Sequence, residues 1–376
     1  MRTPPIVALV LLAAVPATRL GAQQNLVSQA IAVGGVEARQ YSFGSGFGVN
    51  FLRQVAFPVG VSVPVGQRFS FDIGSNYAVT TVGVPASSGG NQTFSGFTDT
   101  QLRGSYTFGN DALVASVMVN LPTGQETTSL SNFSITSSAS SNFLLFPVNT
   151  YGAGFSVTPG VAAAATAGDW NLGLAASVRV SATYSPFSDN AAIRYQPGVE
   201  TRIRGAVDRL IGSSRFQLGL TFSTFSNDQL SGGALTSGAY DPGSRFLVDV
   251  GLLSPAGSGT VGFYLWDYYR STSASADTTA GSAGVRENIL TAGVNGSFPL
   301  SRTVSLEPIA EARIWSPKFG AGSLFGAGTG VRFNIDPHFA FIPAGRFDIG
   351  RIRPPSAPTS SSVTGWALSG LLRYAF

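Results

Sequence analysis

The stretch SSVTGWALSGLLRYAF, residues 361–376, decides the fold, because two kinds of side chain alternate along it. One parity is apolar and largely aromatic, and it holds Trp366, Leu368, Leu372, Tyr374 and Phe376. The other parity holds Ser369 and Arg373. Successive side chains of a β-strand point to opposite faces. The stretch therefore predicts a final strand with one apolar, aromatic face and one polar face.

The same alternation recurs along most of the chain. It is clear in residues 97–108, 171–181, 215–225 and 303–314. Helical periodicity, in contrast, is hard to find after Ala22. Residues 260–270, TVGFYLWDYYR, are apolar on both faces, so the sequence does not decide which face of that strand points inward. Repeated period-2 alternation with little helical pattern predicts an all-β fold.

The composition narrows this class to two alternatives. Charged residues make up only 11% of the chain, whereas a soluble domain has about 25%. After the first 22 residues, no apolar run approaches the roughly 18 residues of a membrane helix. The alternatives are a secreted soluble all-β protein and a transmembrane antiparallel β-barrel. We favour the barrel, because Lys318 is the only lysine and the ionisable residues of the strands lie largely on the polar parity.

The N-terminus has the layout of a secretory signal peptide. Arg2 precedes an apolar run from Ile6 to Val15, and small residues follow near Ala22. We expect a signal peptide at residues 1–22 and an outer-membrane β-barrel at residues 23–376. Without cysteine the exported chain forms no disulfides. Its net charge of +4 falls to near +2 without residues 1–22, so nucleic acid is not an expected partner.

Turn signals give the number of strands. Seven short turns, beginning at Gly66-Gln67 and ending at Asp336-Pro337, alternate with long stretches rich in Ser, Thr, Gly and Pro. Membrane β-barrels have short turns on the inner side and longer loops outside. With an added first strand at Leu26 to Phe43, the count is about 16 strands, within a range of 12–18.

The ionisable residues of the predicted strands are candidates for the lumen. Near the middle of the membrane an arginine facing lipid costs about 2–4 kcal/mol, so we place these residues inside. The lumen-lining candidates are Asp72, Arg103, Arg179, Glu200, Arg202, Arg204, Asp208, Glu307, Glu311, Arg313, Arg332, Arg346, Asp348 and Arg373. Two interpretations of these residues stay open. They could produce an electrostatic field across a water-filled lumen that sorts solutes by charge and shape, or they could form an internal salt-bridge network that satisfies polar groups.

The longest loop, from Pro122 to Gly152, is the third outer loop in this count. In general porins the third loop folds into the channel. Its apolar residues are candidates for a gate: Phe133, Phe143, Leu144, Leu145 and Phe146. The alternative is a loop that packs on the outer rim.

Two passages resemble known families. The C-terminal GLLRYAF, with Gly370, Tyr374 and Phe376, resembles the terminal signature of bacterial outer-membrane barrels. That resemblance implies recognition by the barrel assembly machinery. Residues Gly96 to Gln125 are similar to the outer-membrane family named after the meta-pathway of phenol degradation, through Gly96, Asp99 and Leu121-Pro122-Thr123-Gly124. This second resemblance covers about thirty residues and implies porin-like transport.

The sequence thus predicts a channel in the bacterial outer membrane, surrounded by lipid. Small molecules, among them hydrophobic or aromatic compounds, would cross it by passive diffusion. The alternative is a non-conducting structural or adhesive barrel that acts through its loops. We expect no enzyme, because the single histidine, His338, follows Asp336-Pro337 at an inner turn. We expect no cofactor, and one histidine without cysteine cannot form a structural zinc cluster.

Overall fold

The computed structural model describes residues 30–45, 47–85, 90–109, 112–232, 238–272, 274–275, 286–317, 320–353 and 359–376. The predicted signal peptide and residues 26–29 of the predicted first strand lie outside these ranges, as does Lys318.

The described residues are almost entirely β-structure. In chain order the strands are β1 (Ile31–Phe43), β2 (Phe51–Val65), β3 (Phe69–Gly83), β4 (Gln92–Phe97), β5 (Thr100–Phe108), β6 (Leu113–Leu121), β7 (Ser156–Ala167), β8 (Trp170–Ser181), β9 (Arg194–Gln196), β10 (Glu200–Ile211), β11 (Ser214–Phe225), β12 (Asp228–Ser231), β13 (Gly238–Asp241), β14 (Arg245–Ala256), β15 (Gly259–Arg270), β16 (Ala274–Ser275), β17 (Glu287–Pro299), β18 (Val304–Pro317), β19 (Ala321–Asn334), β20 (Phe339–Arg353) and β21 (Ser361–Ala375). The described part of the chain has one helix, α1 (Leu130–Ala139).

The long strands form a closed antiparallel barrel. Each pairs with its neighbour in the chain, and β21 returns to pair with β1 from Ile31 opposite Ala375 to Phe43 opposite Val363. Counting β4 and β5 as one interrupted strand, the described residues form sixteen barrel strands. The predicted sixteen-stranded antiparallel barrel and its closure by the C-terminal strand are therefore confirmed.

The outer surface of the barrel is apolar. Leu174, Leu220 and Phe263 point outward and are more than half exposed, as Leu368 is on β21. Their neighbours in each strand point into the lumen, which follows from the period of two. A closed barrel satisfies all its strand hydrogen bonds internally, so it has no open edge to bury in lipid. Among the described residues, no helix is both long and apolar enough to span a membrane.

The inner end of the barrel has the predicted short turns. Gly168 and Gly212 each have a φ of 60°, the left-handed conformation that two-residue hairpin turns require and that glycine adopts without strain. Aromatic pairs lie at the same end, with the rings of Phe69 and Tyr106 4.6 Å apart. Aromatic girdles of this kind mark the interfaces of membrane barrels.

The outer loops contain more structure than predicted. The stretches read as irregular loops hold β9, β12, β13 and β16, which pair into a separate four-stranded sheet. The third outer loop contains α1. These elements form because the loops are long enough to bury apolar side chains of their own, such as Ile193, which is 5% exposed.

The predicted strand at residues 97–108 is wrong at its start. β4 ends at Phe97, and β5 begins at Thr100. Between them Thr98 bonds to β3: its main-chain N donates to Asn76 O at 2.7 Å, and its Oγ1 accepts from Asn76 N at 2.9 Å. The chain thus leaves the regular ladder at Thr98 and Asp99, and the Asp99 side chain is buried.

Candidate functional site

The third outer loop folds into the barrel. Its first part forms α1, whose N-cap is Ser129; the Ser129 Oγ accepts from Asn132 N at 3.3 Å. The helix packs against β2, β3 and β4, and Ile135 is completely buried there. Chain 141–153 then returns without regular structure. We call residues 141–153 the return segment.

Aromatic rings join the return segment to the barrel wall. The Phe143 ring stacks on Trp315 of β18, with centroids 5.6 Å apart. Phe146 meets Tyr41 of β1 edge to face at 5.7 Å. Tyr151 lies against Phe94 at 4.8 Å, and burial raises its pKa to about 12, so its hydroxyl is neutral when it bonds to Thr80. The aromatic contacts therefore reach walls on both sides of the β1–β21 seam.

Polar side chains of the wall satisfy the main chain of the return segment. Arg313 of β18 donates to Phe143 O, and Arg39 of β1 donates to Leu145 O. Gln54 of β2 donates to Val148 O and accepts from Val148 N, both at 2.7 Å. A buried irregular segment needs such partners, because an unpaired buried main-chain group costs about as much as a lost hydrogen bond. These donors thus hold the return segment inside the lumen.

Asp99 fixes both ends of the loop. Its Oδ1 accepts from Gly124 N at 3.0 Å, where the loop leaves β6. Its Oδ2 accepts from Ala153 N at 2.8 Å, where the loop returns, and from Asn120 Nδ2 at 2.7 Å. A Cβ at position 124 would lie 2.3 Å from Tyr151 O, so only glycine fits. The Asp99 and Leu-Pro-Thr-Gly pattern singled out in the sequence therefore forms the root of the inserted loop.

A charged cluster lies in the wall beside the return segment. Arg346 donates to Glu311 at 3.0 Å and to Asp348 at 2.7 Å, and Tyr264 OH donates to Glu311 at 2.8 Å. Arg313 completes the cluster through its bond to Glu311. Gly326 of β19 makes room for it, since a Cβ there would lie 1.9 Å from Asp348 Oδ1. Each charged side chain of the cluster has an ion-pair partner, although Arg313 Nε has no hydrogen-bond partner within the described residues. Through Arg313 the cluster supports the wall and the loop together.

A second wall, formed by β8, β10, β11 and β14, is rich in arginine. Arg179 and Arg202 share Glu200, at 3.1 and 2.6 Å. Arg204 binds Asp249 through two hydrogen bonds, the shorter 2.7 Å. Arg245 has its guanidinium carbon 4.5 Å from the centroid of the Phe225 ring, and it forms no ion pair within the described residues. This wall therefore presents uncompensated positive charge to the lumen.

The structure places the predicted lumen candidates on the inward faces of their strands. All except Arg373 take part in ion pairs. Besides the pairs above, Asp72 binds Arg103 at 3.0 Å, and Glu307 binds Arg332 at 2.8 Å. Arg373, on β21, has no ion-pair partner in the part of the chain described. This extensive pairing agrees with the interpretation as an internal salt-bridge network, and few of the arginines are left without an acidic partner.

The predicted gate residues separate into two groups. Phe143, Leu144 and Phe146 are buried between the return segment and the wall. Phe133 of α1 is 51% exposed and packs on Phe187 of the next outer loop, with ring centroids 5.7 Å apart. Leu145 is also exposed and has a φ of 51°. Only the side chains of the first group pack the loop against the wall, whereas Leu145 is held through its main-chain oxygen by Arg39.

Sequence reasoning missed several lumen residues. Arg245 and Asp249 were not assigned, although they lie on the inward parity of β14. On β15 the inward residues are Tyr264, Trp266, Tyr268 and Arg270, and Arg270 pairs with Glu287 of β17 at 3.5 Å. The signal in TVGFYLWDYYR is weak: Tyr264, Tyr268 and the terminal Arg270 share one parity, but Tyr269 and Asp267 lie on the other.

Two cavities in the lumen border Pro147 of the return segment. One, of about 570 Å³, is lined on its polar side by Glu37, Arg39, Glu307 and Arg346. The other, of about 510 Å³, is lined by Asn76, Asn120 and Arg179, among others. The return segment thus divides the space that a solute would cross.

His338 lies at an inner turn. Its Nδ1 is 2.8 Å from Ala375 O, and its main-chain N donates to Asp336 at 2.7 Å. The first contact ties the turn to the end of β21, and the second lies within the turn itself. Within the described residues, no three His, Cys, Asp or Glu side chains are grouped so that they could hold a metal ion.

The closed barrel, its apolar exterior and its polar lumen define an outer-membrane β-barrel of the bacterial cell. No family model matches the chain, and no curated protein matches it. The resemblance of residues 96–125 to the meta-pathway family is therefore not confirmed.

Among solved structures, three similar chains are outer-membrane proteins. OmpT of Vibrio cholerae is 9% identical, over 92% of this chain and 97% of that chain, with a TM-score of 0.44. An anion-selective porin from Comamonas acidovorans is 12% identical, over 92% and 98%, with a TM-score of 0.41. The outer membrane channel DcaP of Acinetobacter baumannii is 11% identical, over 96% and 100%, with a TM-score of 0.42.

Proposed function

We propose that this barrel is a channel for the passive diffusion of small molecules across the outer membrane. The observation that carries the proposal is the third outer loop, which leaves the rim and is clamped across the lumen by Arg313, Arg39 and Gln54. A barrel with a purely structural role has no need for an internal loop held by buried donors. In a channel, such a loop narrows the passage and selects solutes.

Hydrophobic and aromatic compounds are the class of solute to test first. The resemblance of residues 96–125 to the phenol meta-pathway family supports this class, although no family model matches. The lumen also offers aromatic surfaces beside charged groups: Tyr264, Trp266 and Tyr268 follow one another along the inward face of β15. An aromatic ring of a solute can stack on such side chains in offset or edge-to-face geometry.

The candidate residues have distinct roles in this proposal. The ion-paired residues keep the lumen polar and wet, while Arg245 and Arg373 add free positive charge. Phe143, Leu144 and Phe146 anchor the constriction. Gly370, Tyr374 and Phe376 serve assembly, and the partners are outer-membrane lipid, the assembly machinery and the solute.

The alternative function is that of a non-conducting barrel which acts through its loops. The observation that favours it is the four-stranded sheet of β9, β12, β13 and β16, an ordered structure built from three outer loops. A folded outer surface of this kind suits adhesion or structural contact. It also suits a cap over a channel, so solute flux distinguishes the two functions.

Uptake into liposomes tests the proposal. The purified full-length barrel is reconstituted, and entry of a panel of aromatic, fatty and sugar solutes is followed. A channel gives uptake above that of protein-free liposomes for at least one class, with the aromatic solutes expected to lead. Equal uptake with and without protein for every class would favour the non-conducting alternative.

A further inference from the structure

Three arginines lie on the outward, lipid-facing side of the barrel near its outer rim. They are Arg53 of β2 and Arg351 and Arg353 of β20. Their direction follows from their neighbours: Leu52, Gln54 and Ile352 are buried on the lumen side. All three arginines are exposed. They lie at the ends of β2 and β20 that are far from the inner turns.

These arginines have no acidic partner in the part of the chain that the structure describes. Arg53 lies with its guanidinium carbon 5.9 Å from the Phe51 ring centroid, and Arg353 donates to Gly320 O at 3.5 Å. None of the three forms an ion pair within the described residues. The outward positions of β19, β20, β21, β1 and β2 contain no Asp or Glu. The positive charge on this part of the rim is therefore not compensated by the barrel itself.

The strands between the arginines present neutral polar groups at the same level. β21 and β1 lie between β20 and β2 in the barrel. Their outward residues near the outer end are Ser362, Thr364, Gln40 and Ser42. Arg53 is in register with Gln40, Trp366 and Phe347, so Arg351 lies four residues further along β20. Three strand spacings of about 4.8 Å and this offset place the Cα atoms of Arg351 and Arg53 roughly 20 Å apart. We call this surface, from Arg351 and Arg353 to Arg53, the rim patch.

Apolar side chains continue directly below the rim patch. Phe347 and Ile349 of β20 are at least half exposed, and so is Leu368 of β21. The surface therefore changes from cationic and hydroxyl groups at the rim to a wide apolar face toward the inner end. A ligand that matches it has phosphate groups at its edges, hydroxyl groups between them and several acyl chains.

We infer that the rim patch binds a phosphorylated glycolipid of the outer leaflet. The arginines hold the phosphates, because a guanidinium matches phosphate oxygens with two parallel hydrogen bonds. The serine, threonine and glutamine side chains bond to sugar hydroxyls, and the acyl chains lie on the apolar face. This inference concerns the outside of the barrel and is independent of what passes through the lumen.

Native mass spectrometry of the full-length barrel in detergent tests the inference. The probes are diphosphoryl lipid A, monophosphoryl lipid A and phosphatidylglycerol, each titrated into the folded protein. We expect diphosphoryl lipid A to bind at least about tenfold more tightly than phosphatidylglycerol. The combined variant Arg53→Gln, Arg351→Gln and Arg353→Gln should lose that preference. The single variant Arg353→Gln should lose part of it.

A matched control is Arg302→Gln. Arg302 is exposed on the inner turn between β17 and β18, so its loss removes the same charge from the opposite rim. Heat-dependent gel migration verifies that each variant is folded. If the triple variant does not fold, lipid A binding by the single variant Arg353→Gln tests the inference instead. Unchanged lipid A binding by the folded variants would overturn the inference. So would equal binding of phosphatidylglycerol, or an equal loss in Arg302→Gln.

Discussion

The guanidinium of Arg313 donates to the main-chain oxygen of Phe143, 170 residues away in the sequence, and so joins the barrel wall to the loop inside it. Arg313 is only 3% exposed and also pairs with Glu311. Arg313 is therefore a buried, charged donor that binds the loop through a single carbonyl, that of Phe143. The relationship makes the position of the loop depend on the charge network of the wall.

Replacing Arg313 with glutamine should therefore release the return segment. A hydrogen bond from a charged group contributes about 1.5–3 kcal/mol, and 1.4 kcal/mol is a tenfold change in an equilibrium. We expect the loop-released state to become roughly tenfold to a hundredfold more populated, seen as larger or noisier single-channel currents. Arg332→Gln is the control, since Arg332 pairs with Glu307 and has no bond to the loop. Identical currents in the two variants would contradict the role given to Arg313.

Asp99→Asn should loosen the root of the same loop. The new amide would present a donor where Oδ2 now accepts from Ala153 N and Asn120 Nδ2. Each unsatisfied buried group costs about 1–3 kcal/mol. Hydrogen exchange of the amides in residues 141–153 should rise about tenfold or more. Asp72→Asn, which changes a carboxylate bound to Arg103 on the wall, should leave that exchange as it is; a matching rise there would count against Asp99 as the anchor.

Arg245→Gln should shift ion selectivity toward cations. Arg245 forms no ion pair in the described chain and stacks on Phe225. Its uncompensated charge therefore attracts anions and repels cations in the lumen. The reversal potential across a bilayer with a salt gradient measures the change. Arg209→Gln is the control, because Arg209 pairs with Asp169 at the inner rim. Selectivity that is equal in Arg245→Gln and the unchanged protein would refute this prediction.

Deleting Phe376 should impair assembly more than transport. Its main-chain N donates to Ala30 O at 2.9 Å, and its ring lies 4.9 Å from that of Tyr374. The residue therefore closes the seam between β21 and β1 at the inner end. The folded fraction in membranes, read from heat-dependent gel migration, should fall. Phe333→Ala, at an outward inner-end position of β19, is the control, and normal insertion of the deletion variant would speak against the C-terminal signature.

The alternation of short turns with long loops predicted the strand number, and the positions of the charged residues predicted the inward faces of β10 and β18. The charges of β18 lie on a single parity, and so do those of β10 except Arg209, which pairs with Asp169 at the inner rim. Lipid excludes charge from the outward face within the membrane. That rule fails for β15, because its lumen side carries Tyr264, Trp266 and Tyr268. These aromatic side chains make both faces look apolar, and only pairing with β14 and β17 identifies the inner one.

The length and apolar residues of the third outer loop could be read from the sequence, but its helix α1 could not. Helix α1, LSNFSITSSA, is rich in serine and contains β-branched residues, which favour helix weakly. It forms because Ser129 caps it and because Ile135 is buried against the wall. The same tertiary contacts explain why the strand breaks at Asp99: the buried carboxylate binds three donors that lie 21 or more residues away.

Single-channel conductance in planar bilayers tests the central claim, that the third outer loop limits an open lumen. The full-length barrel is compared with a variant lacking Ser131 to Leu145, which removes most of α1 and the residues that Arg313 and Arg39 hold. We expect discrete channels in both proteins, with a clearly larger conductance in the deletion variant. Unchanged conductance and selectivity after the deletion, or no channels in either protein, would contradict that claim.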